Sequence, residues 1–417
     1  MSNTAVDASI KNKTVINLHF PNSPLTNLAH PRQVKVIQKP GSHDIATFSL
    51  DTVDSFSGLA NGAPVSITWS GLQGSASFRG YVYRISPTFN GGYGVRTGFV
   101  CVGASYPLMS KGTDVWVGVG AADVVRDVAR RHGLNYDVED HPRVYGQIAQ
   151  AGDSYWKLLN RLAEETGYVL RVEGGTILFR SRDSMTLYFR PIAPVLQMMR
   201  SKNPAAQAYS DIINYKVQSG EFTPELGSSR ASRTITGVDP KTGLPISKSA
   251  GLLDTHRTDV EPVFNDYLVD TVVNTQSELD SAMNAAQENN RFTRFAKMQT
   301  WGEPYLAPER VVYATGMGSE LAGYWTVRSV THSIEPRNYQ CEVDLATDGL
   351  GGTQRLVGEE VGGSSSRLIP VDPHRLPGLS WPYPEPVLES RPQVAGFSGQ
   401  AMSDFTWVAP ARNWSVA

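Results

Sequence analysis

Between Gln33 and Ile85 apolar and polar residues alternate in short runs, and turn residues break every run. Gln33–Gln38 alternates around Val34 and Val36, and Ala46–Leu50 follows the Pro40–Gly41 turn. Val65, Ile67 and Trp69 share one face of Val65–Ser70, while Ser75–Ile85 sets Phe78, Tyr81 and Tyr83 among small and polar residues. Asn61–Gly62, Gly71 and Gly91–Gly92 supply the breaks. A period of two lays alternate side chains on opposite faces of an extended chain, so each run must bury one face against other strands. Several such runs in succession point to a barrel or a sandwich. The 38 glycines and 26 prolines of the 417-residue chain extend this turn-rich character beyond the region.

The period then changes. In Ala121–His132, Val124, Val125, Val128 and Ala129 recur at helical spacing, and Gly133 sits where a C-cap belongs. A second helix spans Ser154–Thr166, with Tyr155, Leu158, Leu159, Leu162 and Ala163 as its stripe and Trp156 at the edge. Asp153 is the expected N-cap, because its carboxylate can accept first-turn N–H groups, and Gly167 ends the helix. Tyr168–Val172 and Thr176–Arg180 flank Gly174–Gly175, a hairpin signal. Strand-like segments return at Val311–Thr315, Trp325–Val330 and Cys341–Leu345. A helix precedes them, opened by a Thr275/Glu278 capping box and carrying a Leu279, Ala282, Met283, Ala286 stripe. The fold class is therefore mainly β with a small α+β domain. The expected divisions are a first β-barrel-like domain (1–108), the α+β domain (109–187), a second β-barrel-like domain with an inserted helix (188–347) and an extension (348–417). The extension holds 8 of the 26 prolines and the Gly362–Ser366 stretch, the composition of a linker and extended arm. So little core of its own implies an arm pinned by another subunit or another protein.

Composition and motifs exclude several function classes. Apolar residues at 40% and charged residues at 19% are incompatible with general disorder. With 38 Lys and Arg against 40 Asp and Glu, no global basic field exists to grip a nucleic-acid backbone. Cys101 and Cys341 leave room for one bridge but not for a disulfide scaffold or a four-thiolate metal site. No run of 18 apolar residues predicts a membrane span, and Met1–Lys13 lacks an apolar signal core. The eight histidines, His19, His30, His43, His132, His141, His256, His332 and His374, form no His-Glu-x-x-His pair. His132 and His141, near Glu139 and Asp140, read as a surface loop rather than a metal site, and His332 as a packed or hydrogen-bonded residue at a strand end. Gly118-Val-Gly120 before a helix lacks the third glycine and the βαβ alternation of a dinucleotide fingerprint. Glu164–Glu165 and Glu359–Glu360 read as solvated surface. Cys101, between Val100 and Val102, reads as a small buried residue. No catalytic, cofactor-binding or metal-binding residue is assigned, and no enzymatic activity is expected.

The segment Val124–Arg180 resembles the phage tail hub family that includes the late control protein D proteins and the base of type VI secretion spike proteins. The matching residues are His132, Gly133 and Leu134, then Trp156, Leu159, Leu162, Ala163, Gly167 and Phe179. Gly237-Val-Asp-Pro-Lys-Thr-Gly243 is similar to a family turn, and Gly323-Tyr-Trp-Thr-Val327 with Val330 and His332 to a family strand pair. Gly62-Ala-Pro-Val-Ser-Ile and Phe78-Arg-Gly-Tyr-Val also fit, so the resemblance spans about residues 33–345. Ala307-Pro308-Glu309-Arg310 departs from it, since the family often has Pro-Gly-Asp there, and a different turn is expected.

The resemblance implies a tail-hub fold with two tube-like β-barrel domains per subunit and a structural role. Three such subunits would join a hexameric tail tube to a trimeric central spike, with DNA or the tape-measure protein passing through the lumen. Implied partners are the chain itself as a homotrimer, the tube protein, the spike and other baseplate proteins. The implied location is the virion, after synthesis in the host cytoplasm. Two other readings stand beside it: the hub of a phage-derived contractile injection system, and a peptidoglycan- or carbohydrate-binding tail-tip module. The second rests on the helix after Trp116, which resembles the short helix of a wall-binding module.

Overall fold

The computed structural model describes residues 14–21, 31, 33–52, 59–71, 74–89, 95–188, 195–197, 212–219, 231–239, 242–251, 264–269, 273, 275–289, 291–292, 294–316, 321–335 and 338–347. The N-terminal alternation forms β1 (Ile16–His19), β2 (Val34–Gln38), β3 (Ile45–Thr52), β4 (Pro64–Gly71), β5 (Gly74–Phe89) and β6 (Val95–Gly103). The helical-period region forms β7 (Val115–Gly120), α1 (Ala121–Arg131), β8 (Asn135–Val138), β9 (Val144–Ala149), α2 (Tyr155–Thr166), β10 (Tyr168–Glu173), β11 (Thr176–Ser181) and α3 (Arg182–Tyr188). Then come β12 (Val195–Gln197), β13 (Ile212–Ser219), β14 (Ala231–Val238), β15 (Pro245–Gly251), β16 (Phe264–Val269) and α4 (Gln276–Asn289). The described chain closes with β17 (Arg294–Trp301), β18 (Val311–Thr315), β19 (Gly323–Glu335) and β20 (Asn338–Thr347).

The two β regions share one 12-stranded sheet, with the path β1-β4-β5-β6-β3-β2-β19-β20-β17-β13. β18 pairs with the first part of β19, and β12 with β18. The joint is antiparallel: Val34 faces Ile334, Val36 faces His332 and Gln38 faces Val330. The alternation puts Val34, Val36, Phe48, Ile67, Trp69 and Phe99 from the first region into the same apolar cluster as Met298, Trp325, Val330, Val343 and Leu345 from the second.

The α+β region has a core of its own, in which Val124, Val128, Leu159, Leu162 and Phe179 are fully or almost fully buried. α1 and α2 pack on a sheet ordered β10-β11-β8. The Ser154 hydroxyl caps α2, accepting the Lys157 N–H at 3.2 Å. Asp153, the expected cap, instead pairs with Lys157 Nζ at 2.9 Å. Ser154 holds the extended conformation a cap requires, and its short side chain reaches the third helical N–H, so the position one residue later wins. The hairpin loop is Gly174–Gly175 at φ 59° and 94°, both left-handed, as a tight two-residue connection demands. At Gly167, which ends α2, a Cβ would lie 2.9 Å from the Ala285 Cα. Glycine there lets α4 approach the end of α2.

Thr275 and Glu278 form the expected reciprocal cap: Glu278 N–H donates to Thr275 Oγ1 at 3.2 Å, and Thr275 N–H to Glu278 Oε2 at 3.1 Å. Leu279, Met283 and Ala286 are buried, and Ala282 is half-buried against the same cluster, which also holds Ile235 and Val273. The Gly237–Gly243 segment turns β14 into β15, with Gly243 N–H donating to Asp239 O at 2.8 Å and Thr242 Oγ1 to Asp239 Oδ2 at 3.0 Å. The expected arm, 348–417, lies outside the described residues, as do His30, His256, His374, Gly91–Gly92 and Glu359–Glu360.

Leu159 and Leu162 are 0% and 1% exposed. Truncating either to alanine should cost about 2–5 kcal/mol, because transfer and cavity terms add in a packed core. Urea unfolding should show a lower midpoint at unchanged slope; an unchanged midpoint for Leu159→Ala would remove α2 from the core.

Candidate functional site

Two surfaces follow from this topology. The first is the face of the large sheet opposite the core. β2 and β19 place Lys35 opposite Ser333 and Ile37 opposite Thr331. Further along the sheet Thr47 lies opposite Val100, Ser49 opposite Gly98, and Thr331 opposite Glu342. The face spans both β regions, with register irregularities between Val82 and Arg84 and between Val327 and Ser329, and carries several hydroxyls. By register it carries Lys35, Arg79, Arg84, Arg96, Lys216 and Lys297 together with Asp51, Glu342 and Asp344; Arg96 Nε lies 3.0 Å from Asp51 Oδ1, and Lys297 pairs with Glu342. Exposed pairs contribute little stability, about 0–1 kcal/mol each.

The second surface is a charged seam between the α+β region and the segment Leu306–Arg310, which leads into β18. Arg171 on β10 is 4% exposed and donates from Nη1 to Pro308 O at 2.6 Å. Arg310 Nη2 lies 3.1 Å from Glu173 Oε1. Glu309, itself 1% exposed, lies between Arg328 Nη1 at 2.8 Å and Arg182 Nε at 3.4 Å. Those two guanidinium groups also stack on the Phe292 ring, each 5.2 Å from its centroid. Arg182 Nη1 donates to Glu288 O at 2.7 Å, Asn289 Nδ2 to Glu164 O at 2.9 Å, and Arg291 pairs with Asp183 at 2.8 Å. Burial works to raise the Glu173 carboxyl, but Arg171 and Arg310 hold it below its ordinary value. Burial pushes Asp44, which accepts from Gln38 Nε2 at 3.0 Å, up to about 6 against the pull of Arg171.

Glu309 is the one non-glycine residue with positive φ among the described residues, at 65°. It stands at the glycine position of the Pro-Gly-Asp that the resembling family often carries. The turn is thus left-handed as a glycine would make it, at a backbone cost of roughly 1–2 kcal/mol for an L-residue. Glu309 N–H donates to Val327 O at 2.8 Å, and the two arginines hold the side chain.

A third cluster has residue types associated with catalysis and is buried under the sheet joint. Trp69 Nε1–H donates to Tyr339 Oη at 2.9 Å. Tyr339 Oη and His332 Nδ1 are 2.9 Å apart, and His332 Nε2 and Leu306 O are 3.0 Å apart. These contacts fit a neutral imidazole that accepts from Tyr339 at Nδ1 and donates to Leu306 at Nε2. Cys341 Sγ lies 3.2 Å from His332 Nδ1. Burial pushes the Cys341 thiol up to about 12 and His332 down to about 3. A nucleophilic pair needs a thiolate and an accessible imidazole; this one is dry and neutral. Gly302 closes over it, because a Cβ there would sit 1.9 Å from the Tyr339 ring.

The residues singled out in the sequence mostly fall elsewhere. His332 is internal to β19 rather than at a strand end, since β19 continues to Glu335. Cys101 is fully buried, its thiol raised to about 12 by burial, and neither cysteine is bonded to the other. His132 packs edge-on against Tyr155 at 4.8 Å, whereas His141 packs on Tyr168 at 5.1 Å and accepts the Arg143 N–H. Among the described residues no group of three or more His, Cys, Asp or Glu is placed to hold a metal ion. Asp123 occupies the start of α1 after Gly118-Val-Gly120 and accepts the Gly120 N–H at 3.1 Å; β7 pairs antiparallel with β9. A phosphate would meet that carboxylate. Trp116 is tied down by its Nε1–H donating to Asp127 at 2.9 Å and by Arg131 over its ring. Glu309, Arg171 and Arg182 were not singled out as functional residues; the one signal pointing to them was glutamate where glycine was expected.

Neutral burial of His332 links stability to pH. Its folded value is depressed, so its contribution is present above about 6.5 and is lost as pH falls toward about 3. Burial also lowers His43, His132 and His141, in the same sense. Asp44 acts oppositely, gaining stability as pH falls through about 6. Between pH 6.5 and 4.5 His332 alone should cost about 2–3 kcal/mol. Unfolding free energies measured across that range should fall less steeply in His332→Gln than in the parent chain; equal slopes would mean the imidazole is not held neutral.

No family model matches the chain, and no curated protein matches it. Solved structures do. The 43 kDa tail protein of prophage MuSo2 from Shewanella oneidensis superposes with a TM-score of 0.59 at 12% identity, covering 81% of this chain and 99% of that one. The tail protein from Neisseria meningitidis MC58 gives 0.60 at 13% identity, covering 81% and 98%. An Escherichia coli component of the type VI secretion system, described as structurally similar to the T4 phage tail proteins gp27 and gp5, gives 0.54 at 10% identity, covering 82% and 80%. Mainly β with a small α+β region, this chain has the fold of phage tail proteins and of the secretion-system component that resembles them.

Proposed function

We propose that the chain is a structural subunit of a phage tail tip, a homotrimeric hub between a hexameric tail tube and a trimeric central spike. The observation that carries this reading is the β2–β19 joint, which sets two β regions side by side in one sheet. Three subunits would then offer six β units to a six-fold ring and a three-fold face to a spike, and closed symmetry follows from repeating one interface. In this reading 1–108 and 188–347 are the tube-like units, 109–187 is the peripheral α+β domain, and 348–417 is an arm docked on a neighbour. That sheet face would form the lumen wall, past which DNA or a tape-measure protein travels. The role is structural rather than catalytic, and the place of work is the virion after synthesis in the host cytoplasm. The same geometry would serve as the hub of a contractile injection system, a reading favoured by the likeness to the secretion-system component.

Light scattering across a concentration series should give three times 45.5 kDa. A monomer that stays monomeric at high concentration and in the presence of tube and spike proteins would overturn the hub reading. Deleting residues 352–417 should leave the β regions folded, by circular dichroism, while reducing trimer or particle yield. Normal assembly of that deletion would remove the arm from the interface.

A further inference from the structure

The α+β region and the second β region meet through charges along residues 308–310, beside the close approach of α4 to the end of α2 at Gly167. Each side keeps its own apolar cluster, with Leu159, Leu162 and Phe179 in one and Met298, Val312 and Val330 in the other. Interfaces between such regions part more readily when they are polar than when they are apolar. In this seam lies Glu309, whose left-handed backbone at φ 65° persists only while its surroundings enforce it. The enforcing groups come from both sides: Arg182 from the α+β region and Arg328 from β19.

We propose that Glu309 is a releasable clasp, and that the seam it closes can open as a unit while the cores on either side stay folded. The contacts depend on one another. Without the carboxylate, Arg182 and Arg328 are left as like charges, each 5.2 Å from the Phe292 ring centroid, and the left-handed turn loses what holds it. The same short segment carries Pro308, which accepts from Arg171, and Arg310, which pairs with Glu173. A shift of residues 307–310 therefore loosens the grip on β10 in the same event. Contacts that form and break together in this way make a two-state element of low local stability. The clasp is independent of the oligomeric state proposed above.

Hydrogen exchange on the full chain tests it. The reporters are the Glu309 N–H on Val327 O and the Val327 N–H on Arg310 O, both at 2.8 Å. In the parent chain these amides should exchange through an opening with weaker denaturant dependence than amides of α2 and β20. In Glu309→Gln they should exchange at least tenfold faster, with α2 and β20 unchanged. Glu309→Gly, which accepts the backbone but lacks the carboxylate, should open the seam likewise. Two results would overturn the clasp: seam amides of the parent chain exchanging only with global unfolding, or Glu309→Gly keeping parental seam protection. If a variant fails to fold, the parent denaturant series decides.

Discussion

The antiparallel pairing of Val34–Gln38 with Val330–Ile334 joins strands from opposite ends of the described chain, and most of the architecture follows from it. Closing so long a loop is entropically costly, and that cost is offset only if the pairing buries much apolar surface at once. It does so. The joint draws Val34, Val36, Trp69 and Phe99 into contact with the cluster of Val330, Val343 and Leu345. It also covers a polar chain running from Trp69 through Tyr339 and His332 to Leu306 O. Every member of that chain has a partner, which is what makes a buried polar network tolerable.

The same burial works against the charged forms that reactive chemistry at a Cys-His-Tyr constellation would need. In water His332 would titrate near 6.5 and Cys341 near 9.0; under the joint the charged forms of both are strongly disfavoured. Their role is to fill and orient. The seam represents the opposite regime. There Arg171, Arg182, Glu173 and Glu309 each lie against an opposite charge or a carbonyl. Such pairs add little net stability over apolar packing, but removing one partner is costly, so they specify an arrangement more than they strengthen it.

The sheet supplies one face shared by both β regions, the α+β region a separate core, and the seam a polar attachment between them. Likeness to tail proteins and to a secretion-system component extends over four-fifths of the chain, at 10–13% identity.

Local structure was legible in the sequence because its causes are local. Period-two alternation marked β2 to β5, helical spacing marked α1 and α2, Gly174–Gly175 marked the hairpin, and Thr275 with Glu278 marked the start of α4. The α2 cap was misplaced by one residue, since Asp153 and Ser154 are both good caps and the backbone conformation chooses between them. The sequence also carried the order of motifs from Gly62 to His332 that resembles the tail hub proteins. What it could not carry was which strand pairs with which: alternation says that one face is buried, not against what. Only the tertiary structure decided that β2 meets β19, that His332 and Cys341 share one dry pocket, and that a glutamate in a glycine's place is held by two arginines. Those are contacts between residues far apart in the chain, and they depend on burial and charge pairing that exist only once the sheet has closed.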